Sequence, residues 1–100
     1  MAKQTRGTMT KRIEKKSIEL LGEAVCQTAL RFMAYVQYTL MNTKQLKPEH
    51  MNSDDIMILD DWFKKGWLGT DDDNKLTCTK DFWDAMSELL YLGYVDLTKN

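Results

Sequence analysis

Between Ser17 and Asn42 the apolar residues recur with the period of an α-helix. At 100° per residue, Ile18, Leu21, Val25, Thr28, Ala29, Phe32, Met33, Val36 and Leu40 fall on one broad face, and Glu19, Glu23, Gln27, Arg31 and Gln37 fall on the other. The apolar arc covers about half the cylinder, wider than the ~100° stripe of an ordinary surface helix, so more than one neighbour is needed to bury it. The pattern predicts one long helix over residues 17–42, with the rest of the chain arranged around it. Thr10 can cap a helical extension starting at Lys11. There Ile13 projects onto the polar side, so residues 11–16 are expected to be solvated, with Lys15 and Glu19 spaced i,i+4.

Two shorter helices follow. Thr43–Asn52 is a connector in which Pro48 can open a short helical turn, and His50, the only histidine, is expected at the surface. Ser53–Gly66 is marked by its ends. Ser53 is a suitable N-cap, Asp54 and Asp55 complement the positive N-terminus, Lys64 and Lys65 the negative C-terminus, and Gly66 suits a left-handed position after the last turn. Gly69–Lys75 reads as an exposed acidic loop. Thr77 or Thr79 then caps a third helix, Lys80–Leu92, stopped by Gly93. Tyr94–Leu97 alternates weakly and is expected to be extended. The fold class expected is all-α: a long N-terminal helix packed on two shorter helices, with a short extended C-terminal segment. Trp62, Phe63, Trp67, Phe82, Trp83, Met86 and Leu89 should pack against Phe32 and its neighbours.

Composition sharpens this reading. Five glycines and one proline in 100 residues are too few turn-formers for an all-β fold. The net charge of −1 hides an asymmetry: Lys3, Arg6, Lys11, Arg12, Lys15 and Lys16 stand against Glu14 alone in the first sixteen residues, and the remaining eight bases face fourteen acids. Residues 1–10 are therefore expected to be a flexible basic arm, and residues 11–100 a single acid-bodied helical domain. No signal-peptide pattern follows the basic start. The charged residues of the long helix rule it out as a membrane span. Two cysteines, Cys26 and Cys78, with no CxxC and one histidine, suggest neither a disulfide framework nor a zinc site, and point to a reducing, cytoplasmic setting in the cell or an infected host.

Little in the chain suggests catalysis. Asp71–Thr77 looks like a calcium loop at first, but with Asp71 at position 1 the fifth ligand would be Lys75, the obligatory glycine would be Leu76 and the closing glutamate would be Phe82. There is no phosphate-binding glycine loop and no nucleophile motif, and most carboxylates sit at helix starts or on polar faces. The chain is expected to be no enzyme and to need no cofactor and no metal.

Two interaction readings remain. In KLTCTKDFWDAMSELLYLGYVDL, a helix ends in Gly-aromatic-hydrophobic; this stretch resembles the run in winged-helix domains where a helix enters a hairpin. The resemblance implies a nucleic-acid-binding transcriptional regulator. The candidate recognition helix carries Asp81, Asp84 and Glu88 against Lys80 alone, so phosphate contact would fall to the arm residues Lys3, Arg6, Lys11, Arg12, Lys15 and Lys16. The favoured reading is a non-enzymatic module that regulates or inhibits a protein partner. Leu20, Leu30, Tyr38 and Met41 lie off the main apolar stripe, as an interface would require, and a two-fold dimer through the long helix would cover both of its sides. Asp71, Asp72, Asp73, Asp81 and Asp84 would form an acidic face able to occupy a basic cleft. Short, single-domain and acid-bodied, the chain is similar to small phage-encoded accessory proteins that inhibit host machinery.

Overall fold

Gly22 divides what the periodicity joins. In the computed structural model, which describes residues 6–96, α1 spans Lys11–Leu21 and ends at Gly22, whose φ of 81° is left-handed and whose N–H donates to Ile18 O at 2.9 Å. The chain then turns, and α2 spans Gln27–Met41, capped by the Cys26 sulfur accepting from the Ala29 N–H. The single helix expected over 17–42 is thus two. The turn is held by Ser17: its hydroxyl donates to Glu14 O at 2.7 Å and accepts from the Val25 N–H at 3.0 Å, with Ser17 wholly buried. Below Gly22, Ile13 is also fully buried, so residues 11–16 are an amphipathic helix rather than a solvated extension.

After a short 3-10 turn at Pro48–His50, α3 spans Ser53–Lys64. Its N-cap is Asn52, one residue before the expected Ser53. Asn52 accepts from Asp55 N and the Asp55 carboxylate accepts from Asn52 N, a reciprocal pair that satisfies two helix-start donors. Gly66 takes the left-handed position beyond its end, with φ 78°.

The expectation of an all-α fold is overturned by the segment that follows. Leu68–Thr70 (β1) and Leu76–Cys78 (β2) pair antiparallel, with Leu68 opposite Cys78 and Thr70 opposite Leu76. The acidic loop is the hairpin's turn. One Asp71 carboxylate oxygen accepts from the N–H groups of Asp73 and Lys75, both at 2.9 Å, and Asn74 supplies the left-handed residue at φ 60°. Leu68 and Leu76 point into the core and anchor both strands.

Thr79 caps α4, Lys80–Leu90, by accepting from Phe82 N. In place of the extended segment expected after it, Tyr91–Val95 forms a single wide π turn, closed by Asp96 N donating to Tyr91 O at 2.8 Å; Leu97 lies outside the described residues. Gly93 is buried in this turn, and a Cβ there would stand 3.4 Å from a Leu30 methyl, an ordinary van der Waals contact.

The described residues form a mostly helical mixed α/β fold, with four α-helices and one two-stranded sheet. α4 packs on both α1 and α2, and α3 packs on α2. Trp62 is the centre of the aromatic core, 5.6 Å from Phe32 and in edge contact with Phe82 at 5.0 Å, and Phe82 in turn stacks on Trp67. No helix of the described residues is long and apolar enough to cross a membrane.

Candidate interaction surface

α2 and α4 run antiparallel: Leu30 meets Gly93 near one end, and Gln37 reaches the Trp83 carbonyl and the Ser87 hydroxyl, the latter at 2.8 Å, near the other. Above this seam lies an apolar groove of about 390 Å³, floored by Ala34 and Leu90 and walled by Tyr38, Met41, Tyr91, Tyr94 and Val95. Tyr38 is 63% exposed, Met41 67%, Tyr91 51% and Val95 67%. The π turn builds the far wall. Its i→i+5 hydrogen bond, from Asp96 N to Tyr91 O, closes the segment that brings Tyr94 and Val95 into the lining. The residues lining this groove include no Asp, Glu, Lys, Arg or His.

The expected partner-binding residues separate into groups. Tyr38 and Met41 are brought together in the groove. Leu30 is not a surface residue at all: it is fully buried, with Gly93 packed against it. Leu20 is partly exposed on α1, beside a shallow depression formed with Asp81, Asp84 and Glu88. Asp71 is occupied by the hairpin turn, and Asp72 and Asp73 are exposed at its tip. Asp84 pairs with Lys80 at 2.7 Å, and Asp81 sits in the first turn of α4. The acids therefore occupy two separate places, the hairpin tip and the outer side of α4. Tyr91, Tyr94 and Val95 were not expected at the site. The YLGYV string carries the signal, an aromatic pair bracketing the glycine, but its wide turn has no sequence period to reveal it.

Lys3 lies outside the described residues, and Arg6, Lys11 and Lys15 are exposed. Gly7 N donates to Gly93 O at 2.8 Å, and the Gln27 side chain accepts from Met9 N and donates to Gly7 O, which ties residues 7–9 to the body. Arg12 donates to the Asp96 carbonyl at 2.6 Å and pairs with its carboxylate at 3.3 Å, and Lys16 pairs with Glu19 at 3.5 Å. The hairpin also precedes α4, and α4 runs into the π turn, so within the described residues the helix that carries the winged-helix resemblance is not followed by a hairpin.

The titratable groups outside the groove have structural explanations. Hydrogen bonding and charge from Asp60 raise the Lys64 ammonium above its ordinary value, and Asp84 does the same for Lys80. Burial works against the charge of Lys65, but Asp61 and Glu23, both paired with it, outweigh that and raise it; its ammonium also lies 4.8 Å from the Trp67 ring centre. Burial pushes the Cys78 thiol up, partly opposed by a backbone hydrogen bond at Trp83. Among the described residues no three His, Cys, Asp or Glu side chains gather as metal ligands. No family model, curated protein or solved structure matches the chain.

Proposed function

We propose that this protein is a small non-enzymatic interaction module that regulates or inhibits a macromolecular partner in the cytoplasm, and that the groove between α2 and the π turn is the face with which it docks. The observation that carries the reading is the clustering of Tyr38, Met41, Tyr91 and Val95, each at least half exposed, around one uncharged apolar depression. Scattered exposed apolar side chains are ordinary, but a contiguous patch is not. Tyr and Met are enriched at the centres of interfaces, where charge is depleted. The unpaired thiols of Cys26 and Cys78 fit a reducing compartment.

A photo-crosslinking residue placed at Tyr38 or Tyr91, with Asp73 as the control position, tests the reading in producing cells. Adducts from positions 38 and 91, and none from 73, are the expected result. If irradiation at both groove positions leaves the chain unmodified, the groove is not a docking face and the reading falls.

A further inference from the structure

We infer that residues 7–9 are a strap that holds the far wall of this groove, so that the docking face is assembled only while the N-terminal segment is clasped to the body. The inference rests on the reading of the groove as a docking face and adds how that face is switched.

Tyr94 belongs to both structures. It lines the groove beside Val95. Its ring also packs on Gly7, which is buried and left-handed at φ 77°. A Cβ at Gly7 would stand 2.9 Å from the Tyr94 hydroxyl oxygen and 3.1 Å from two ring carbons, the first shorter than any ordinary Cβ contact. Glycine is therefore required twice over, by the backbone conformation and by the closeness of the ring. Any movement of the strap at Gly7 is felt directly by a side chain of the groove.

Hydrogen bonds fix the strap to the wall and to α2. Gly7 N–H donates to Gly93 O at 2.8 Å, which pins the peptide unit that leads into Tyr94. The Gln27 amide accepts from the Met9 N–H at 2.6 Å and donates to Gly7 O, so one side chain in the first turn of α2 grips the strap at both ends. Past Val95, Arg12 holds the Asp96 carbonyl and carboxylate. Tyr94 and Val95 thus lie between two points of attachment, and both attachments come from residues 7–12. π turns are rare and occur mostly singly, often at functional sites. This one takes support from the opposite end of the chain. By linkage the coupling runs both ways: releasing the strap loosens the wall and weakens docking, and a partner in the groove tightens the strap.

Hydrogen exchange read by NMR tests the coupling in the unmodified chain. If the wall opens whenever the strap does, the Asp96 amide, which donates to Tyr91 O, is no better protected than the Gly7 and Met9 amides, and all three are less protected than Val36 in the middle of α2. Gln27→Glu keeps an acceptor for Met9 but loses the donor to Gly7 O, and an acid suits the start of a helix. It should speed exchange at Gly7 and Asp96 by the same factor, about tenfold. An Asp96 amide at least about tenfold better protected than Gly7 and Met9, or one unmoved by Gln27→Glu, overturns the inference, because the wall then stands with the strap released. Protection at all three sites equal to that of Val36 also overturns it, since strap and wall then open only with the whole fold.

The double variant Gly7→Ala/Gln27→Glu, checked for native circular dichroism, should release the strap outright. Adducts from crosslinkers at Tyr38 and Tyr91 should then fall several-fold, in step with the docking-competent fraction. Undiminished adducts from a chain whose Gly7 and Met9 amides have lost their protection overturn the switch and leave the docking reading standing. If the unmodified chain gives no adduct from either position, the docking reading falls and the switch with it, whatever the exchange rates say about the wall.

Discussion

Replacing Gly22 by alanine separates a broken helix from a continuous one by the sign of its effect. In a continuous helix, Gly→Ala at an interior position stabilises by about 1 kcal/mol. At the observed φ of 81°, an alanine must adopt the left-handed conformation, which costs roughly 1–2 kcal/mol; the lower entropy of the unfolded chain returns about 0.4–1 kcal/mol. No heavy atom lies within 4 Å of the added Cβ, so steric collision contributes nothing and the conformational cost stands alone. The net expectation is a loss of about 1 kcal/mol, which lowers Tm by about 4–8 °C in a domain of this size. Gly22→Asn should lose less, because asparagine tolerates the left-handed region. Urea melts followed by circular dichroism, read as a change in midpoint at constant slope, measure this directly. If Gly22→Ala raises the midpoint, residues 11–41 form one helix and the account of the core given above is wrong.

Other expectations follow from single contacts. Ser17→Ala leaves the Val25 N–H buried without its acceptor, at a cost of about 1–3 kcal/mol partly offset by alanine's better helix propensity; a thermal melt within a degree or two of wild type would show that the turn is held by something else. Thr79→Ala removes the α4 cap and should cost about 1 kcal/mol in a denaturant melt, whereas Thr77→Ala, on the exposed face of β2, should cost less than about 0.5 kcal/mol. The raised Cys78 thiol holds less thiolate at neutral pH than an ordinary cysteine, so its alkylation in the folded protein should be slower than in the urea-unfolded chain and should accelerate as pH rises; equal rates in both states would contradict its burial. Calcium should leave the melting temperature unchanged, because Asp71 is committed to backbone N–H groups of the turn and Lys75 interrupts the acids; a calcium-dependent rise would contradict that assignment.

Helix ends were the most legible part of the sequence, because capping is local chemistry. Thr10, Thr79 and Gly66 do what their residue types suggest, and the α3 cap is displaced only from Ser53 to Asn52. The break at Gly22 was hidden because Leu21, Val25 and Ala29 keep a four-residue spacing across it. Leu30 lies off that stripe within α2 itself, and it is completely buried because Gly93 packs against it. The hairpin was hidden for a different reason. Strands of three residues are too short to show alternation, and an aspartate-rich turn resembles a solvated loop unless Asn74 is recognised as its left-handed residue. Half of the groove, Tyr38 and Met41, was visible as apolar residues out of phase. The other half depends on a π turn, a single wide turn too short to show a period in the sequence.

The pairing of Gly7 with Gly93 and of Arg12 with Asp96 bears on how the chain is made. Ribosomes deliver residues in order, at about 5–20 per second, so α1 emerges seconds before the segment that clasps it. During that interval Ile13 and Leu30 lack the π turn that covers them, and α2 with α3 can associate only as an incomplete core. The last described residues thus act as a latch on the first, and shortening the chain to end before Gly93 should yield a species that binds hydrophobic dyes and is recognised by chaperones, even though the helices themselves retain their sequences.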